Sequence, residues 1–274
     1  MEKIVDINCL EHIYPDKTKV ELCGLEFTVK KGERVALLGA NGAGKTTLLK
    51  HILGLLKPSK GEVKVFGLNP HDDFEKIQRR IGIVFQNVES QLIGPTVLED
   101  VMFSPINYGD SYELAYDKAK NIMERLNIWE LRDKVIHYLS GGEKRKVALA
   151  GALVLEPELM LLDEPFSGLD KKSIRELINL INTFNEEHAV SWIISTHDVE
   201  LVTDFADVMY LISNRLISQK GELRDILTNT KELAKYNVEP PAVVNILNKL
   251  EVEINGNFPI TVDECVDFLK NTIK

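Results

Sequence analysis

The chain has 274 residues, enough for one large α/β domain with a small appendage. Its 44% hydrophobic and 27% charged content is ordinary for a globular protein, and a net charge of −9 argues against general nucleic-acid binding, which relies on clustered Lys and Arg. No apolar run approaches the ~20 residues that span a bilayer, and Met1-Glu2-Lys3-Ile4 does not open a signal peptide, so a soluble cytoplasmic chain is expected.

Cys9, Cys23 and Cys265 are odd in number, widely spaced and without a CxxC pair. Reduced thiols are expected, with neither a disulfide framework nor a zinc site.

Residues 3 to 37 alternate apolar and polar positions in short runs, such as Ile4-Val5-Asp6-Ile7 and Leu25-Glu26-Phe27-Thr28-Val29. They predict antiparallel strands forming a small β layer in front of a glycine-rich loop that begins at Gly39. Tyr14, beside Pro15, lies in one of the connections, where an aromatic can turn its face to an adenine ring.

The run Val35-Ala36-Leu37-Leu38 leads into Gly39-Ala40-Asn41-Gly42-Ala43-Gly44-Lys45-Thr46-Thr47, and Leu48, Leu49, Ile52 and Leu53 come next at helical spacing. This is strand, glycine loop, helix, with the helix predicted over 45–55. Glycines let successive amides converge on one anion, and the helix start adds unpaired N–H groups and a positive dipole end. Lys45 supplies a mobile charge for the outer phosphates and Thr46 a hydroxyl for magnesium. The ligand read from this stretch is a nucleoside triphosphate with Mg2+.

Beyond it, Gly61 to Gly67 predicts a strand, Asp72 to Arg80 a short charged helix, and Ile81-Gly82-Ile83-Val84-Phe85 a second strand. Gln86 stands at the carboxyl end of that strand, where ligands gather in open α/β sheets, so its amide can reach a metal or an attacking water. Residues 97 to 155 predict a mostly helical lobe, with a helix over 112–126 continuing less regularly over 128–136. It ends in Leu139-Ser140-Gly141-Gly142-Glu143. Ser140 suits a helix N-cap, but two glycines in a first turn each cost about 1 kcal/mol against Ala, so a compensating contact, a second phosphate among the candidates, is expected.

Leu159-Met160-Leu161-Leu162-Asp163-Glu164 predicts a buried parallel strand whose two acids emerge beside the phosphate loop. Asp163 can hold magnesium and Glu164 can deprotonate a water. Ser167-Gly168-Leu169-Asp170 turns into a helix over 171–185, a strand Ser191–Ser195 comes after it, and Thr196-His197-Asp198 brings a third polar group to the same edge. Val208–Ile212 and Arg215–Gln219 close the core as two strands around Ser213-Asn214. From about Gly221 the pattern changes to helices near 222–228 and over 242–249, with Thr261-Val262-Asp263-Glu264 as a capping box for the last. This tail carries no catalytic cluster, so a packing or dimer-contact module is expected.

Taken together, Tyr14, Gly39 to Thr46, Gln86, Leu139 to Glu143, Asp163-Glu164, Asp170 and His197 resemble the ATP-binding cassette ATPases, over roughly residues 3 to 220. The resemblance implies a phosphate-loop NTPase core, a mostly parallel sheet with flanking helices, carrying an antiparallel β layer. An inserted helical lobe at about 88–155 lies within a nucleotide-binding domain over 1–221, and a helical appendage covers 222–274. It also implies ATP hydrolysis in a head-to-tail dimer, each ATP lying between one protomer's phosphate loop and the other's Ser140-Gly141-Gly142. Glu164 would be the general base, His197 the γ-phosphate contact and Asp170 a contact across the dimer. Glu143, where the family usually has Gln, and Phe166, where it usually has a small polar residue, depart from the pattern.

A narrower likeness, to the ATP-binding subunits of cobalt-type and energy-coupling-factor importers, lies in Val84 to Asn87, Gln91-Leu92, Pro95 to Val97, Asp100 to Pro105 and Glu239-Pro240-Pro241 with the tail from Pro259 to Leu269. It implies a homodimer or a pair with a paralogous ATPase, peripheral at the cytoplasmic face of the membrane, working with an integral membrane scaffold and a substrate-capture subunit. A phosphate-loop kinase, which Leu139 to Gly142 disfavours, and the ATPase of another ABC transporter class are competing readings, as are soluble cassette ATPases acting on nucleic acid or ribosomes. They carry coiled-coil or zinc insertions or two cassettes, and here there is one phosphate loop, no long heptad run and no paired cysteines.

Overall fold

The computed structural model describes residues 2–213, 215–252, 254 and 257–272. Its N-terminal part is an antiparallel sheet built around β1 (Lys3–Ile13), which pairs with β5 (Lys60–Val65) on one edge. On the other edge it pairs with β3 (Phe27–Lys30) near its start and β2 (Lys19–Leu22) near its end. Between them, β4 (Arg34–Leu38) leaves this layer and becomes a central strand of the second sheet.

That second sheet runs β10-β9-β4-β8-β7-β6, with β6 (Ile81–Val84), β7 (Leu159–Asp163), β8 (Ser191–Thr196) and β9 (Val208–Ser213) parallel to β4. Only β10 (Leu216–Glu222), at the edge, is antiparallel to its neighbour. The mixed α/β architecture with a parallel core and an antiparallel layer matches the fold read from the sequence.

Alternation along these strands divides the core into two clusters. Val35, Leu37, Leu161, Ile193 and Tyr210 face the antiparallel sheet and α1 (Lys45–Ile52). Ala36, Leu38, Leu162, Ile194 and Leu211 face the opposite way, toward the other helices. α1 ends earlier than its apolar spacing suggests because Gly54 takes a left-handed conformation. The charged segment near 72–80 is only a short α2 (Phe74–Ile77) followed by a 3-10 turn at Gln78–Arg80.

In the lobe, α3 (Val97–Asn107) and α4 (Tyr112–Arg125) precede α5 (Gly141–Leu153). The expected helical continuation over 128–136 is absent: 3-10 turns lie at Trp129–Leu131 and Ile136–Tyr138. The reason is tertiary, since Val97 and Leu98 donate to the carbonyls of Lys134 and Arg132 and Ile136 donates to Pro95, drawing the segment against the start of α3. Val101, Met123, Val147 and Leu149 of the lobe share one continuous cluster with Met160 and Leu162 of β7.

After β7 come α6 (Lys171–His188), whose Leu177, Ile178, Ile181 and Phe184 are buried as the spacing predicts, and α7 (Val199–Phe205). The tail holds α8 (Leu223–Leu227), α9 (Thr230–Lys235), α10 (Ala242–Lys249) and α11 (Val262–Thr272). The sequence reading missed α9, a short helix capped by Asn229. At the last helix the Thr261 hydroxyl accepts from the Glu264 amide at 3.2 Å, but the Glu264 carboxylate turns to Ile260 N–H and Arg224, so the box is incomplete. Leu223, Leu227, Leu233 and Val244 pack into the same cluster as the lobe, and Glu200 accepts from the Ala242 amide at 2.7 Å. Asn214 of the expected turn lies outside the described residues.

The expectation of reduced thiols throughout is also overturned. Cys9 and Cys23 are disulfide-bonded, leaving Cys265 as the free thiol among the described residues. The β1–β2 register, Leu10 opposite Leu22, sets residues 9 and 23 across from each other, a juxtaposition that spacing along the chain does not reveal.

Candidate functional site

β4 delivers the glycine loop to the carboxyl edge of the parallel sheet, where β7 and β8 also end. At Gly39 a Cβ would come within 2.4 Å of the Ile212 carbonyl oxygen on β9, so only glycine allows the loop to pass so close. Gly44, the N-cap of α1, has φ 112, turning the chain into the helix in a conformation other residues avoid.

Around this loop the predicted acids and bases converge. The Lys45 ammonium lies 2.9 Å from Glu164 Oε1 and donates to the Gly39 carbonyl at 2.6 Å. The Glu164 Oε2 stands 2.8 Å from His197 Nδ1. Thr46 Oγ1 donates to Asp163 Oδ2 at 2.7 Å. Asp163 and Glu164 are 3% and 5% exposed, so their charges are held by these partners rather than by water. Glu164 also has φ 48, a left-handed conformation that a β-carbon disfavours and that marks it as a strained position.

A residue the sequence reading passed over ties the two acids together. Ser195 Oγ donates to Asp163 Oδ1 at 2.6 Å and accepts the Glu164 amide at 2.8 Å, fully buried on β8 opposite Asp163 of β7. The signal was a serine directly after the apolar run Trp192-Ile193-Ile194, since a buried hydroxyl needs a polar partner.

Tyr14, Lys45, Thr46, Gln86, Asp163 and Glu164 line one cleft of about 470 Å3, with Thr47 beside them. The Tyr14 hydroxyl is 2.9 Å from Thr47 Oγ1, and its ring meets His12 edge-on at 4.5 Å. Gln86 is exposed beyond β6, whose end is braced by Gln91, donating to the Ile83 carbonyl at 2.7 Å and accepting from the Phe85 amide at 3.0 Å. Thr46 Oγ1 and Asp163 offer the hard oxygens that suit Mg2+. A second cavity of about 870 Å3 adjoins the same loop, lined by Gly39 to Ala43, His197 and the tail segment 236–240.

Ser140 to Glu143 lie elsewhere. None of them lines either cavity beside the phosphate loop; Gly142 lines a separate one between α5 and α6. The Ser140 hydroxyl accepts from the Glu143 amide at 3.3 Å, and its amide donates to Glu143 Oε2 at 2.8 Å, a capping box that stabilises the double-glycine turn from within the chain. The Ser140 amide and hydroxyl, both donating to that carboxylate, hold the Glu143 acid below the usual range. Asp170 caps α6, accepting from the Lys172 and Ser173 amides at 2.9 Å each, and those bonds likewise hold its carboxyl below the usual range. Phe166 is buried against Phe205, ring centroids 5.6 Å apart, so this departure from the family pattern fills core volume.

The family model of the ABC transporter matches residues 22–167, more than half of the chain. The chain belongs to the ABC transporter ATP-binding family. Across 260 residues it is 44% identical to a Methanopyrus kandleri protein named for ABC transporter ATP binding, covering 95% of this chain and 96% of the relative. The energy-coupling factor transporter ATP-binding protein EcfA of Methanocaldococcus jannaschii is 39% identical over 264 residues, 94% of each chain. Among solved structures, CbiO1 of Clostridium perfringens, described as part of the ABC transporter complex CbiONQ, superposes with a TM-score of 0.77 at 31% identity, covering 92% of this chain and all of that one. ATPases of this family bind ATP, hydrolyse it to power transport, dimerise, and work peripherally on membrane subunits. Among the described residues no helix is long and apolar enough to cross a membrane.

Proposed function

We propose that this chain energises an importer of the energy-coupling-factor type, closing as a dimer on ATP at the cytoplasmic face of the membrane. One observation carries the reading: likeness to an EcfA subunit extends over 94% of both chains, well beyond the residues 22–167 of the ATPase model and into the tail. The dimer is a pair of these chains or a pair with a paralogue, and a membrane scaffold and a substrate-capture subunit complete the machine.

In this reading Gly39 to Thr47 and the Lys45 ammonium hold the triphosphate, while Tyr14 faces the adenine. Thr46, Gln86 and Asp163 hold Mg2+, which neutralises charge on the outer phosphates when bound. Glu164 Oε1 takes the proton of the attacking water, whose oxygen joins the γ-phosphorus as ADP departs, and His197 contacts the γ-phosphate. Ser195 keeps both acids in register. A Lys45 that turns to the phosphates leaves Glu164 Oε1 free as an acceptor. Ser140, Gly141, Gly142 and Glu143 of the second protomer cover the nucleotide from its other side, with Asp170 nearby. The exposed apolar faces of Ile93, Phe103 and Ile106, close in sequence to Gln86, suit docking of a membrane subunit's helices.

Affinity purification from membranes tests the reading. An integral membrane scaffold, a substrate-capture protein and transport-coupled ATPase activity are expected to accompany the chain. ATPase activity stimulated by DNA or ribosomes, with no membrane protein attached, would replace it with the soluble class.

A further inference from the structure

Four charged side chains line the 470 Å3 cleft, and one of them has no role so far: Lys45, Asp163 and Glu164 belong to the cluster above, and Arg215 is the fourth. Lys45 is paired with Glu164 at 2.9 Å and the Asp163 carboxylate takes two hydroxyl donors, so the cleft's local charges are mutually satisfied apart from Arg215. Its guanidinium donates one bond, to the Lys19 carbonyl at 2.6 Å, and among the described residues no carboxylate pairs with it. That bond pins the β9–β10 turn against β2, the strand whose Val20 also lines the cleft. Arg215 lines the 870 Å3 cavity as well, and Ala40, Asn41 and Gly42 of the phosphate loop are likewise common to both.

Its backbone adds a second observation. Arg215 has φ 63, left-handed, where glycine or asparagine would be comfortable and an arginine is strained. An exposed cation with no carboxylate partner adds little to the fold beyond that one bond to Lys19. A planar donor at the mouth of a cleft that already presents a glycine loop and a lysine gives an anionic ligand a second charged contact.

Resting on the nucleotide reading above, we propose that Arg215 is a nucleotide-binding residue, contacting the phosphates of the ATP or ADP that Lys45 holds from the other end. It sets affinity for the nucleotide rather than the rate of bond cleavage.

Displacement of a fluorescent nucleotide by MgATP and by MgADP tests this in the Glu164→Gln background, where ATP turnover is expected to be slow. Arg215→Ala is expected to raise both dissociation constants about fivefold, Arg215→Glu more, and Arg215→Lys less, with the differences shrinking at high salt. Thermal melting of each unliganded variant checks folding, and Arg215→Lys and Arg215→Gln keep the question open to an answer if Arg215→Ala unfolds. Unchanged constants in the folded variants overturn the inference. Lys45→Ala separates the layers: if it weakens binding while Arg215→Ala does not, only the role of Arg215 fails, and if neither matters, the cleft itself is misread.

Discussion

At the carboxyl edge of the parallel sheet, Lys45, Asp163, Glu164 and Ser195 are each at most 5% exposed and bonded to one another. At the start of α5, Ser140 and Gly141 are exposed and satisfied within their own turn. Buried charges must find partners inside the fold, so the first region is assembled by the chain itself. A capped glycine turn keeps its free amides in water at little cost and can present them to an anion brought by another surface. The contrast teaches how, in the proposed dimer, one chain would build one half of a nucleotide site and display, at a distance, what the other half requires.

The sharpest way to break this contrast is at the buried region. Glu164→Gln is expected to lower ATP turnover by about 10²- to 10⁴-fold while leaving nucleotide affinity intact, measured by phosphate release and by equilibrium binding. Turnover near that of the unaltered chain would remove Glu164 from the role of base.

Acid separates the regions next. His51, in the last turn of α1, is 1% exposed, and burial lowers its pKa from 6.5 to about 4. The unfolded chain therefore binds more protons between those values, so stability falls as pH drops through that window, by about 3 kcal/mol in total. Urea unfolding at stepped pH should show this slope in the native chain and lose it in His51→Leu. Glu143 acts lower: with its acid depressed by the Ser140 bonds, its contribution is intact above the usual carboxylate range and disappears only as pH falls through its lowered value.

Ser195→Ala removes the donor to Asp163 and the acceptor for the Glu164 amide, and a loss of roughly 1–3 kcal/mol in unfolding free energy is expected together with slower hydrolysis. A stable, fully active variant would mean that the acids position themselves. Ser140→Ala is expected to cost about 1 kcal/mol of stability through the lost cap, yet to abolish ATP-dependent pairing, which sedimentation reads directly.

Local pattern made much of this legible. Val35 to Thr47 announced strand, loop and helix, Leu159 to Glu164 a buried strand ending in acids, and the α6 face appeared at the expected spacing, because burial on two faces or one stripe leaves a periodic trace. What stayed hidden depends on contacts between distant segments. The Cys9–Cys23 bond arises from strand register, the 3-10 turns after α4 from hydrogen bonds to the start of α3, and the place of Ser195 between two acids from the pairing of β7 with β8. Arg215 was read only as the start of a strand, and its position at the mouth of the cleft comes from the turn that folds β10 back along β9.

Sedimentation velocity of the Glu164→Gln chain with saturating MgATP, alone and with any paralogous ATPase that co-purifies with it, tests the divided site most directly. A nucleotide-dependent dimer that Ser140→Ala dissolves is the predicted result. Monomers throughout, in a preparation shown to have bound ATP, would contradict it.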